Sequence, residues 1–147
     1  MWDKTYQIGL VVRDIDKAME YYESLGIGPF HEGPSAYAIE RRVHGKDMPE
    51  NKVVCRLAQM GPIEFELMQP VAGQSLQQEF LDEHGEGVLH ICAYTNDIAK
   101  DIEEMGECGR DVIAYAKFDD GGICAHFDTR EIGGLSLELF ERGSKWE

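Results

Sequence analysis

Four side chains with metal-binding chemistry occupy related places along the sequence: Gln7, Glu66, His90 and Glu138. A Gln oxygen, an imidazole nitrogen and two carboxylates form an N/O donor set suited to a divalent ion such as Zn, Ni, Co or Mn. Two carboxylates aimed into one cavity are costly unless a cation or hydrogen-bond donors neutralise them. A plainer reading stays open. Alternation in a half-exposed sheet would put Glu66 and Glu138 in solvent, and a lone strand His commonly makes a structural hydrogen bond.

The elements that must position these residues repeat. Gln7-Ile8-Gly9-Leu10-Val11-Val12-Arg13-Asp14-Ile15 and His90-Ile91-Cys92-Ala93-Tyr94-Thr95-Asn96-Asp97-Ile98 are both strand-like runs that reach Asp-Ile at the same distance. A helical pattern follows each: Ile15, Ala18, Met19, Tyr22 and Leu25 before Gly26, then Ile98, Ile102 and Met105 before Gly106. Asp14 and Asn96 or Asp97 are suitable N-caps. The far ends match as well, Gly61-Pro62-Ile63-Glu64-Phe65-Glu66-Leu67 with Gly133-Gly134-Leu135-Ser136-Leu137-Glu138-Leu139. The pattern predicts an α+β fold made of two βαβββ modules, over 5–70 and 87–142, related by a pseudo-two-fold within a single domain, 1–147. A linker helix over about 74–84 starts at the capping-box pattern Ser75-Leu76-Gln77-Gln78.

Strand alternation then sorts the faces. Tyr6, Ile8, Leu10 and Val12 share one face, with Gln7 opposite; Ile63, Phe65 and Leu67 oppose Glu64, Glu66 and Met68. Leu89, Ile91 and Ala93 oppose His90, Cys92 and Tyr94, and Leu135, Leu137 and Leu139 oppose Ser136, Glu138 and Phe140. Gln7 is repeat-equivalent to His90, and Glu66 to Glu138. Pairing of the modules would let all four converge.

Composition narrows the partners. The 147 residues are 43% hydrophobic and 29% charged, which suits a globule with a buried core. No apolar run approaches the ~20 residues of a membrane-spanning helix. The start, Met1-Trp2-Asp3-Lys4, has no secretory pattern, so the cytoplasm is expected. The net charge of −14 argues against nucleic acid or membrane as a partner. Cys55, Cys92, Cys108 and Cys124 form no C-x-x-C pair and read as reduced small hydrophobes.

The chain resembles the vicinal oxygen chelate superfamily of glyoxalases, bleomycin-resistance proteins and extradiol dioxygenases, and within it the methylmalonyl-CoA epimerase branch. The resemblance runs from about Tyr6 to Glu141. It rests on the two stretches around Gln7 and Glu138 quoted above, on Glu66-Leu67-Met68-Gln69-Pro70, and on Glu83-His84-Gly85-Glu86-Gly87-Val88-Leu89-His90-Ile91. It implies a curved mixed sheet around a metal-binding cleft, with one divalent ion (Co, Ni, Zn or Mn) held by Gln7, Glu66, His90 and Glu138. Two departures stand out: Gln7 lies where epimerases usually have His, and Leu89 where they usually have a first His.

The implied chemistry is proton transfer α to a carbonyl, with a small-molecule substrate, either an acyl-CoA or a thiol adduct. An epimerase needs bases on opposite faces of the carbon, and the resemblance implies Glu138 and Glu50 as catalytic residues. A glyoxalase I-like lactoylglutathione lyase would use Glu138 and Glu66. A non-enzymatic binding module is the third alternative, and an extradiol dioxygenase, whose iron normally takes two His and one Glu, fits less well. A homodimer is implied by resemblance alone. The basic run Arg41-Arg42-Val43-His44-Gly45-Lys46 suits either phosphate binding or a solvated hairpin edge. Phe30, Tyr37, Tyr94, Tyr115 and Phe140 are candidate cavity aromatics, and residues 28–50 read as a long irregular insertion.

Overall fold

A computed structural model describes residues 1–144. The chain forms an α+β half-barrel from one curled mixed sheet. Its strands are β1 (Thr5–Val11), β2 (His31–Glu32), β3 (Ala38–Val43), β4 (Lys46–Asp47), β5 (Lys52–Met60), β6 (Ile63–Ala72), β7 (Gly87–Thr95), β8 (Val112–Phe118), β9 (Ile123–Phe127) and β10 (Ser136–Glu141). Among the described residues three helices cover it: α1 (Ile15–Ser24), α2 (Leu76–His84) and α3 (Ile98–Glu107). None of the described helices is long and apolar enough to cross a membrane.

Each helix begins where a side chain satisfies an otherwise unpaired backbone donor. Asp14 accepts from Lys17 N at 3.0 Å, Ser75 from Gln78 N at 3.0 Å and Asp97 from Lys100 N at 3.1 Å. Of the two candidates before α3, Asp97 is the cap. Gln78 does not close the capping box; its amide donates to Asp82 at 2.9 Å instead.

The strand order is β2-β5-β6-β1-β7-β10-β9-β8-β3-β4. β1 runs parallel to β6, and β7 parallel to β10. At the centre β1 and β7 are antiparallel, with Ile8 opposite Ile91, Gln7 opposite Cys92 and Gly9 opposite His90. Ile8 and Ile91 are themselves repeat-equivalent, so the pseudo-two-fold passes between them. The same operation relates β6 to β10, β5 to β9 and the short β2 to β8.

The stretch 28–50 is more ordered than its composition predicts. After β2, a single 3₁₀ turn (Pro34–Tyr37) packs against both β5 and β8. The chain then crosses the open side of the sheet, and β3 pairs antiparallel with β8, Arg41 opposite Ala116 and Val43 opposite Ala114. The β3–β4 hairpin thus extends the edge of the other half, and no counterpart exists among the described residues of that half.

The apolar faces pack as alternation requires, with one correction. Ile8 and Leu10 join Val12, Ile15, Phe65 and Leu67 under α1. Tyr6 does not share their face: it packs with Cys92, Phe118 and Phe140 on the concave side. The β1–β7 register shifts between Thr5 and Gln7, and such an irregularity re-aims one side chain without disturbing those beyond it. Phe30 packs with Phe65 in the α1 core, with ring centroids 6.4 Å apart.

Leu67 is fully buried in this core, whereas Ile132 is 88% exposed. Leu67→Ala is expected to lower the unfolding free energy by about 2–5 kcal/mol and Ile132→Ala by less than about 0.5 kcal/mol, measured by denaturant titration.

Candidate metal centre

The concave side of the half-barrel encloses a cavity of about 140 Å³. Sheet register assembles its floor. Gln7 on β1, Cys92 on β7, Glu138 on β10 and His126 on β9 form one row across the sheet. Glu66 on β6, Gly9 on β1 and His90 on β7 form the next row. All five polar residues are buried: Gln7 is 6% exposed, Glu66 8%, His90 1%, His126 6% and Glu138 7%.

Three of the four sequence-derived ligands touch. His90 Nε2 donates to Gln7 Oε1 at 2.8 Å, and the same nitrogen lies 3.1 Å from Glu138 Oε2. That single N–H is directed at Gln7, so Glu138 Oε2 has no hydrogen-bond partner among the described residues despite its closeness. Glu66 lines the same cavity beside Glu138.

Glycine makes the central approach feasible. A Cβ on Gly9 would sit 2.3 Å from His90 Cε1 and 2.5 Å from Nε2, so the imidazole lies directly over the Gly9 backbone. No other residue leaves that space.

His126 is a site residue that the sequence reading did not select. Its Nε2 lies 3.5 Å from Glu138 Oε1, and its ring meets His90 edge-to-face at 5.2 Å. His90, His126 and Glu138 each offer a ligand atom within 4.8 Å of the others. The repeat could not find it, because Leu57 holds the equivalent place opposite Glu66. Alternation within β9 puts His126 on the same face as Cys124, but the loop between β9 and β10 hides its register with Glu138. Two imidazoles and one carboxylate in contact also remove the ground on which an iron dioxygenase fitted less well.

Glu50 stands apart. It lies in the exposed turn between β4 and β5 and is not part of the cavity lining. It borders a separate surface depression with Arg56 and Lys52. Of the candidate aromatics, Tyr94, Tyr115 and Phe140 line the cavity, while Tyr37 is exposed. Tyr6 stacks face to face on Tyr94, centroids 3.6 Å apart, and Arg142 covers the other face of Tyr94 at 3.8 Å.

Burial dominates the electrostatics. It pushes His90 down to about 4, against the pull of the Glu138 carboxylate, so the ring is neutral and suited to ligation. Burial, then the charges of Glu138 and Glu64, hold Glu66 well above the usual carboxylate range. The Cys55, Cys92 and Cys124 thiols are likewise raised by burial. They remain thiols, which removes them as nucleophiles.

These residues fit a divalent cation. The donors are N and O, the imidazole is neutral, and Glu138 carries an unpartnered buried oxygen. A positive ion would offset the repulsion that raises Glu66.

The family model of the glyoxalase/bleomycin resistance protein/dioxygenase superfamily matches residues 6–126. The chain belongs to this superfamily. Protein YqjC of Bacillus subtilis (strain 168) is 26% identical over 139 residues, covering 91% of this chain and 89% of that protein. Among solved structures, methylmalonyl-CoA epimerase from Mycobacterium tuberculosis superposes with a TM-score of 0.70 at 19% identity, covering 97% of this chain and 90% of that one. A Streptomyces coelicolor methylmalonyl-CoA epimerase variant in complex with 2-nitronate-propionyl-CoA does so at 0.70 and 20% identity, covering 95% and 94%. At these identities the likeness shows a shared fold.

Two measurements check the site. Gly9→Ala should displace the His90 ring, destabilise the fold by about 1–3 kcal/mol and weaken divalent-metal binding roughly tenfold or more, read by denaturation and metal titration. The raised Glu66 acid is stabilised while protonated, so its contribution is full below the normal carboxylate range and is lost as pH rises through the folded value. Metal-free wild type should therefore lose stability with rising pH relative to Glu66→Gln, by up to about 1.4 kcal/mol per pH unit, followed by denaturation at several pH values.

Proposed function

We propose that the protein is a divalent-metal-dependent isomerase that moves a proton on a carbon α to a carbonyl, with an acyl-CoA thioester as substrate. The observation that carries this reading is the convergence of Gln7, Glu66 and Glu138 on the lining of one cavity, with buried His90 in contact with Gln7 and Glu138. Gln7 Oε1, Glu66, His90 Nε2 and Glu138 Oε2 would hold the ion. His126, facing Glu138 Oε1, would keep the other oxygen turned inward.

When bound, the ion supplies Lewis-acid stabilisation of the developing enolate oxygen. The chain supplies the rest. The β3 crossing and the aromatic wall of Tyr6, Tyr94 and Phe140 limit water around the reacting carbon. The carboxylates of Glu66 and Glu138 are the proton carriers within the cavity. Glu50 lies outside the cavity lining, so the reading does not route a proton through it. Arg41 and Arg42 line the mouth from β3 and give an otherwise acidic chain a local cationic edge for an anionic thioester.

The epimerase neighbours support the thioester substrate, one being in complex with methylmalonyl-CoA and NH4+. A second reading, a glyoxalase I-like lyase, is favoured by one observation: both carboxylates it needs, Glu66 and Glu138, line the cavity, and Glu50 does not.

Reconstituted wild type is expected to hold one divalent ion per chain by elemental analysis, and His90→Ala and Glu138→Ala to lose it. With metal bound and solvent D₂O, methylmalonyl-CoA should gain one α-deuteron, and Glu66→Gln should slow exchange by roughly 10²–10⁴-fold. Turnover of a glutathione hemithioacetal without thioester exchange would select the lyase. No ion in wild type would sink both.

A further inference from the structure

Gln7 is a ligand with two unlike ends. Its amide oxygen accepts and can bind a cation, whereas its NH₂ donates only and would repel one. Something must choose which end faces the floor. Glu64 lies directly across the β1–β6 pairing from Gln7, and Gln7 Nε2 donates to Glu64 Oε1 at 2.6 Å. The opposite end, Oε1, is thereby the one turned to His90 Nε2, at 2.8 Å. Rotating the amide by half a turn would set Oε1 against a carboxylate oxygen and break both contacts.

The other half of the molecule supplies a control. At the place equivalent to Gln7 stands His90, and at the place equivalent to Glu64 stands Ser136. Ser136 Oγ donates to Phe127 O at 2.9 Å and takes no part in orienting His90. Of these two equivalent cross-strand neighbours, the one beside Gln7 is a carboxylate and the one beside His90 is not.

We propose that Glu64 is a positioning residue that locks the Gln7 amide oxygen toward the metal and strengthens it as a ligand by drawing on its N–H. The inference rests on the metal site proposed above. Carboxylates that hydrogen-bond a ligand's far end act this way when the ligand is His, and their loss weakens metal binding roughly 10–100-fold.

The test is titration of the metal-free, full-length protein with Co(II), read by calorimetry and by the visible absorption of the bound ion. Glu64→Leu should weaken Co(II) binding roughly 10–100-fold and shift the absorption bands. Glu64→Gln, whose amide oxygen still accepts from Gln7, should recover most of the affinity and the wild-type bands. In a Gln7→Ala background, Glu64→Leu should add no further loss. Wild-type affinity in Glu64→Leu would overturn the proposal, as would a full additional loss in the Gln7→Ala background, which would mark Glu64 as a remote charge only. Wild type that takes up no Co(II) would instead overturn the metal-site reading itself. Circular dichroism and thermal unfolding of each variant separate a misfolded chain from a mispositioned ligand. Glu64→Gln, nearly isosteric with Glu64, keeps the comparison decisive if Glu64→Leu fails to fold.

Discussion

The antiparallel pairing of β1 with β7 is the constraint on which the site depends. Ile8 faces Ile91 across the pseudo-axis, so Gln7 and His90 must flank that axis on the concave side. Register then carries the pattern outward: Glu66 lies two strands from His90, and Glu138 two strands from Gln7. A slip of one residue in this single ladder would turn Gln7 away from His90 and put Ile8 in the cavity. The cores beneath α1 and α3 hold that register by burying Ile8 and Leu10 with Phe65 and Leu67 on one side and Ala93 with Leu139 on the other.

Much of this was legible before any coordinates. The repeat placed Gln7, Glu66, His90 and Glu138 on one face because period-two alternation and a duplicated strand–helix–strand order are strong local signals. Three features escaped it for identifiable reasons. Tyr6 obeyed the alternation on paper, but a register shift at the β1 edge turned it into the cavity. His126 has Leu57 as its counterpart, so a symmetry argument had nothing to match. Residues 28–50 looked irregular because their strands are short and pair with a strand far along the chain, a contact that no local pattern encodes.

Burial sets the chemistry of the site by making charge expensive. Gln7, Glu66, His90, His126 and Glu138 sit where water is scarce, and the two carboxylates face one another. In the absence of a cation the cavity responds as physics requires: His90 stays neutral, and the affinity of Glu66 for its proton is raised. Both responses also prepare it for a divalent ion. A neutral imidazole could ligate through Nε2 once its single proton moves to Nδ1, and an acid that gave up its proton to a bound ion would couple the two events.

Departures from symmetry give the cavity its polarity. On the β9–β10 side, His126 and His90 both address Glu138. On the β5–β6 side, Leu57 replaces the second imidazole, and Glu64 adds a carboxylate near Glu66. One wall therefore carries a carboxylate with two imidazoles within 3.5 Å, and the other carries two carboxylates, one of which accepts from the Gln7 amide. The same backbone plan thus places carboxylates in unlike surroundings within one cavity. The duplicated sheet supplies the carboxylates, and the unduplicated residues Leu57, Glu64 and His126 supply the difference.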